Sequence, residues 1–139
     1  MFLDLTQPKH QHVDQRLRNE PIIWIGSVRP DGRPHMVPVW FLWDRTSIFI
    51  FSQPKAQKIR NLESNPNVTL ALEAANAGAD IAIVEGTAIV SPAANAQGIM
   101  PAYSAKYAQA IAEMSWNPET MLSDYSQLIQ VTPTRLIAW

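Results

Sequence analysis

Residues 22–52 read IIWIGSVRPDGRPHMVPVWFLWDRTSIFIFS, and this stretch decides the fold. Residues 22–28 are β-branched and aromatic, which suits a strand. Asp31-Gly32 then falls between two apolar runs. Glycine supplies the positive φ of a tight turn, so a hairpin is predicted. Residues 35–43 form the returning strand. Pro38 inside it has no N–H to give to a ladder, which places this strand at a sheet edge or puts a bulge at that point. Trp40 and Trp43, three apart, would point to opposite faces, one into the core and one toward a partner. Asp44-Arg45-Thr46 turns the chain and residues 47–52 alternate as a third strand. The expectation is a three-stranded meander complete by residue 52.

On the N-terminal side, residues 9–20 are polar with Val13 and Leu17 four apart, a surface helix with a narrow apolar stripe that Pro21 ends. On the other side, Pro54 suits the first turn of a helix over 55–65 that buries Ile59 and Leu62. Residues 68–74 alternate as a strand, 76–80 turn, and 81–90 make a long strand. Gly86 within it marks a bulge or a close backbone approach. From 92 to 124 alanine, methionine, tyrosine and glutamine dominate. Tyr103, Tyr107, Ile111 and Met114 predict a helix over 102–114, and a second one covers 118–125. Residues 126–131 and 135–139 are strands parted by a Thr-Pro-Thr turn. Links between strands are short, which favours antiparallel pairing. The fold class is α+β, a six- to seven-stranded antiparallel sheet or barrel with short helices, in one domain over 1–139.

The chain has 139 residues, 47% apolar and 17% charged, a globular composition. Its net charge of −1 gives no bulk attraction to nucleic acid or to an anionic membrane. The absence of cysteine excludes disulfides, thiolate nucleophiles and Cys-ligated metals, and suits a cytoplasmic location. The opening residues show no basic segment followed by an apolar run, so no leader peptide is expected, and no apolar run reaches membrane-helix length.

His10 and His12 lie two apart on a helix and face different ways, which makes a poor metal pair. No H-E-x-x-H motif, nucleophile triad or paired carboxylates stand out. Charge placement says more. Residues 29–60 hold six basic groups (Arg29, Arg33, Arg45, Lys55, Lys58, Arg60) against Asp31 and Asp44, whereas 61–105 hold four acids and no base. With Ser52 and Gln53 at the expected start of the 55–65 helix, free N–H groups and Lys55/Lys58 would form a phosphate seat. A solvated helix face with ordinary surface lysines explains the same spacing. The preceding strand would set apolar walls and backbone groups beside it, as a planar heterocycle needs.

G-S-V-R-P-D-G-R-P-H-M-V-P-V-W-F-L-W (26–43), F-S-Q-P-K-A-Q-K-I-R-N-L-E-S-N-P-N-V-T-L (51–70) and V-E-G-T-A-I-V (84–90) resemble the pyridoxamine-5′-phosphate-oxidase-like split β-barrel superfamily of flavin and deazaflavin oxidoreductases. Y-S-A-K-Y (103–107), W-N-P-E-T-M (116–121) and T-P-T-R-L-I-A-W (132–139) resemble its branch of coenzyme F-420-dependent enzymes. The resemblance implies an FMN-binding type of split barrel and a homodimer with two sites at the subunit interface. The cofactor would be FMN or the deazaflavin coenzyme F-420, and a hydride would pass to a small planar or conjugated acceptor. His35, Met36, Val37, Pro38 and Val39 would line the ring. Ser52, Lys55, Lys58, Arg60 and Asn61 would surround the anionic end, with Trp40 and Trp139 near the ring or interface. Ala56-Gln57-Lys58 stand where true pyridoxamine-phosphate oxidases carry Ser-Arg-Lys. The lost arginine removes a bidentate fork, so the resemblance implies a different oxidoreductase. The alternative is a non-catalytic flavin or haem binder with His35 as axial ligand, or an interaction protein with an empty site.

Overall fold

The computed structural model describes residues 2–139. These form seven strands and five helices: α1 (Pro8–Asn19), β1 (Ile23–Val28), β2 (Pro34–Val39), β3 (Leu42–Trp43), β4 (Ile48–Ser52), α2 (Gln57–Ser64), β5 (Asn67–Leu72), β6 (Ala82–Pro92), α3 (Met100–Lys106), α4 (Ala108–Glu113), α5 (Pro118–Asp124) and β7 (Gln127–Ala138). All strands join one sheet in the order β2-β1-β5-β6-β7-β4-β3, and every pairing is antiparallel. The α+β class and the seven strands are as expected. No described helix is long and apolar enough to cross a membrane.

The β1–β2 hairpin forms as read: Gly32 sits at φ 89° and the Arg29 N–H bonds the Arg33 carbonyl at 2.9 Å. Among the described residues β2 pairs with β1 alone, so Pro38 lies on an edge strand where its missing N–H costs no ladder bond. The meander is corrected. The 35–43 segment is not one strand: it leaves the ladder at Trp40-Phe41, β2 stays with β1, and β3 pairs with β4 at the opposite end of the sheet. The face alternation expected for Trp40 and Trp43 therefore does not apply. Trp43 is buried in the core and Trp40 lines a cavity.

Two further expectations change for physical reasons. Residues 126–139 hold a single strand, because Thr-Pro-Thr is a bulge in β7 and not a turn. Glu85 pairs with Arg135 and Gly86 with Pro133, leaving Thr134 as the extra residue. The bulge or close approach expected at Gly86 is thus present. The predicted 102–114 helix is broken at Tyr107, whose φ of −107° and ψ of 15° separate α3 from α4.

The core has two parts on either side of β4, which is buried along its whole length. Ile48 and Ile50 join Ile25, Phe41, Trp43, Leu70, Val84, Ile129 and Val131, sealed by Val13 and Leu17 of α1 and by Ile59 and Leu62 of α2. Phe49 and Phe51 join Leu42, Leu128, Tyr103, Tyr107, Ile111 and Met121 beneath α3–α5. Each fully buried aliphatic or aromatic side chain contributes about 1.5–3 kcal/mol of transfer free energy. The sheet curls so far that Pro38 and Val39 of β2 and Phe51 of β4, near opposite ends of the ladder order, line one cavity. No described ladder closes the two edges, and the cavity sits beside that gap.

Candidate functional site

The cavity holds about 380 Å³, within the range of small-molecule sites. One wall is the end of β2, with Pro38, Val39 and the half-buried Trp40. Phe51, Gln53 and Ala56 form the floor, and α2 supplies Lys58 from its first turn. The far wall comes from the α3–α5 segment: Tyr103, Met114, Trp116, Met121 and Tyr125. Trp116 stands 5.9 Å from Trp40 and 6.4 Å from Tyr125 between ring centroids.

Lys58 is the cation lining this cavity. Burial pushes its ammonium below the usual lysine value, and among the described residues no hydrogen bond or ion pair compensates it. The other basic residues of the 29–60 cluster behave differently. Arg45 bonds Asp14, Arg33 pairs with Asp31 at 2.8 Å, and Arg29 donates to the Pro34 carbonyl. Arg60 folds back onto the Lys55 carbonyl and Gln57, and Lys55 is exposed. The cluster read from the sequence therefore narrows to Lys58 at the cavity.

The expected seat is corrected in its details. α2 begins at Gln57 with an extended Ala56 as N-cap and no capping side chain, so Pro54 lies ahead of the helix and Ser52 and Gln53 do not cap it. Ser52 is fully buried and its hydroxyl donates to the Gln53 carbonyl. Asn61 is fully buried too: Gln57 donates to its side-chain oxygen and its amide donates to Ser27. Both residues brace the strand–helix junction behind the seat. Val37 packs on the core, and Met36 is exposed on the outer sheet face. Trp139 lies away from the cavity, its indole N–H donating to the Gly78 carbonyl.

His35 is placed between these regions. Its Nδ1 is buried without a hydrogen-bond partner, an unusual state for a polar atom. Burial first, then the charges of Arg29 and Lys58, hold the ring below the usual histidine value. It contributes to the lining of a second, shallow hollow of about 510 Å³ together with Met36, Thr69 and Glu85. Among the described residues no group of three His, Asp or Glu could hold a metal.

Sequence reasoning missed Tyr103, Met114, Trp116, Met121 and Tyr125. Their helical spacing resembles ordinary core packing, and only the number of rings and hydroxyls in one late segment hinted otherwise. Burial keeps the Tyr103 hydroxyl far above the usual tyrosine value, so it stays protonated.

Beside the far wall, Lys106 is held at about 8 by burial, with Glu20 pulling weakly upward. Its folded value lies below the unfolded one of about 10.4. The unfolded chain therefore binds more protons between pH 8 and 10, and stability is expected to rise with pH across that window, by clearly less than the ~1.4 kcal/mol per unit of a fully desolvated group because solvent screens the partly exposed ammonium. Lys58 acts in the same direction. Above pH 10 the raised Tyr103 and Tyr107 reverse the trend. Urea unfolding at pH 7.5, 8.5 and 9.5 checks this, and Lys106→Met should flatten the rise; an equal slope in both proteins refutes the assignment.

Comparison with known proteins agrees with this architecture. An F420 reductase superposes with a TM-score of 0.70 at 22% identity, covering 89% of this chain and 94% of that one. The haem storage protein HutZ from Vibrio cholerae gives 0.72 at 16%, covering 95% of each chain. A conserved hypothetical protein of Mycobacterium tuberculosis gives 0.73 at 19%, covering 93% of this chain and 82% of that one. No curated protein sequence matches. Residues 10–139 match the family described as pyridoxamine 5′-phosphate oxidase, and the chain belongs to that family.

Proposed function

We propose that this chain is a flavin- or deazaflavin-dependent oxidoreductase, acting as a homodimer on a small planar or conjugated acceptor. The observation that carries the reading is Lys58: a half-buried ammonium without a partner among the described residues, in a cavity whose walls are otherwise mostly apolar and aromatic. That donor set fits a ligand with an anionic tail and a flat ring, as FMN and coenzyme F-420 both have. His35, with its unpartnered Nδ1, lies on the same strand, β2, but lines the second hollow. The fold is shared with a protein named as an F420 reductase, which agrees with the reading.

When bound, a flavin-type ring supplies the two-electron hydride chemistry itself. The protein's part is to bind, orient and exclude water. Lys58 binds the anionic tail. Pro38, Val39 and Trp40 support one side of the ring, and the edge position of β2 leaves outward backbone groups free for its polar rim. Trp116 and Met114 line the opposite wall. The partner subunit would pack on the outer sheet face, where Ile89 (70% exposed) and Met36 (56%) stand bare.

Titration with FMN and with F-420, followed by fluorescence, tests the reading. Lys58→Ala removes a charge-assisted contact of about 1.5–3 kcal/mol and should weaken binding roughly tenfold to a hundredfold. Equal affinity in the variant would refute the seat. Non-catalytic haem binding is the second reading, favoured by the unpartnered Nδ1 of His35 and by the fold shared with a haem storage protein. It requires a Soret band that His35→Ala abolishes.

A further inference from the structure

We infer that Tyr107 is a positioning residue of the cavity, acting on the bound ring through Trp40. At Trp40-Phe41 the chain leaves the ladder, so the Phe41 backbone groups need partners from elsewhere. The Tyr107 hydroxyl accepts the Phe41 N–H at 2.8 Å and donates to the Pro21 carbonyl at 2.7 Å. The Lys106 ammonium covers the Phe41 carbonyl at 2.8 Å and lies 3.6 Å from the centre of the Phe41 ring. Tyr107 is itself 3% exposed and wedged against Tyr103 at 5.1 Å. With its hydroxyl tied and its ring packed, its plane is fixed.

Trp40 stacks on that plane with centroids 4.3 Å apart and an interplanar angle of 3°. The indole that lines the cavity is thus oriented by a ring whose hydroxyl is anchored to the main chain at Phe41 and Pro21. Trp116, half exposed and tilted 53° to Trp40, has no comparable anchor among the described residues. The cavity therefore has one fixed aromatic wall and one adjustable wall, and Tyr107 sets where the fixed wall stands.

What the cavity holds rests on the function proposed above; the orientation of Trp40 does not. The experiment separates the two. The Trp40 contribution to near-ultraviolet circular dichroism is taken as the native spectrum minus that of Trp40→Phe, and is measured again with Tyr107→Phe present in both. It should fall by half or more. An unchanged contribution overturns the inference. Tyr107→Gln, which keeps a hydrogen-bonding end and loses the ring, is the second variant should the first not fold, and the same loss is expected. In the binding arm, Tyr107→Phe should weaken FMN about tenfold at a temperature where both proteins are folded. Unchanged FMN affinity despite a lost Trp40 signal also overturns it. If the native protein takes neither FMN nor F-420, the proposed function fails, and the dichroism alone decides the role of Tyr107.

Discussion

Gly86→Ala is expected to destabilise the protein by about 3 kcal/mol or more, the upper end for overpacking, and to lower Tm by roughly 10 °C. A Cβ at this position would lie 2.5 Å from the Thr132 carbonyl oxygen and 2.9 Å from a Val131 methyl. The first of these is main chain inside a paired strand and cannot rotate away. It would have to move with the β7 bulge, where Gly86 faces Pro133 and Thr134 bonds the Glu85 carbonyl. β6 and β7 pair along eleven positions, from Ala82–Ala138 to Pro92–Gln127, so the shift would reach both halves of the core. Gly98, with nothing within 4 Å of its would-be Cβ, is the control, and Gly98→Ala should leave stability within about 0.5 kcal/mol. Chemical denaturation of the two variants settles the matter; a Gly86→Ala protein as stable as the native one would mean that the ladder has room for a methyl group.

The same pair of residues shows what the sequence can and cannot tell. Gly86 was legible as a bulge or close approach because a glycine in a long β-branched run has few other uses. Thr-Pro-Thr was not legible as part of a strand, since proline ordinarily ends one. The residue that makes room for it lies opposite, on β6, far away in sequence. The split of the 35–43 segment has the same character: the Phe41 N–H that leaves the ladder is met by a tyrosine hydroxyl 66 residues on. Short-range chemistry could be read, as in the Asp31-Gly32 hairpin and the edge position of Pro38. Long-range polar anchors could not. In the site, Lys58 was found because lysine near a helix start is a local signal. Ser52 and Asn61 carried the right chemistry but are turned inward, and the aromatic far wall had the spacing of a core stripe.

Asp14→Ala is expected to cost about 2–3 kcal/mol, and the reason bears on how the basic cluster should be understood. The carboxylate is 2% exposed on α1. One oxygen accepts the Trp43 indole N–H at 2.9 Å and the Arg45 Nε at 3.2 Å; the other accepts Arg45 at 3.0 Å and Arg18 at 3.1 Å. Alanine would leave the buried indole N–H unpaired, a penalty of about 1–3 kcal/mol, and the two guanidiniums without their counter-charge. Both arginines are nearly half exposed and can rehydrate, which keeps the loss below that of a fully buried pair. Asp14→Asn keeps an acceptor for Trp43 and should recover about half. Burial pushes the Asp14 carboxyl up, but the Arg45 and Trp43 hydrogen bonds and the two guanidinium charges outweigh it and hold it below the ordinary value. The stabilisation is therefore present above the unfolded value of about 3.9 and lost as the pH falls through the folded one. The gap between native and Asn proteins should narrow in urea unfolding as the pH falls below about 4 and on through the lowered folded value; a gap independent of pH would exclude an ionised Asp14. Asp4, Asp31 and Asp80 are also held low, but they are common to both proteins and cancel in the difference. Asp14→Asn should also leave FMN affinity unchanged, whereas Lys58→Ala weakens it. Arg45 and Lys58 fall in one basic stretch of the sequence, yet the first clamps α1 to the β3–β4 turn and the second faces the cavity, so stability and affinity should separate cleanly between them.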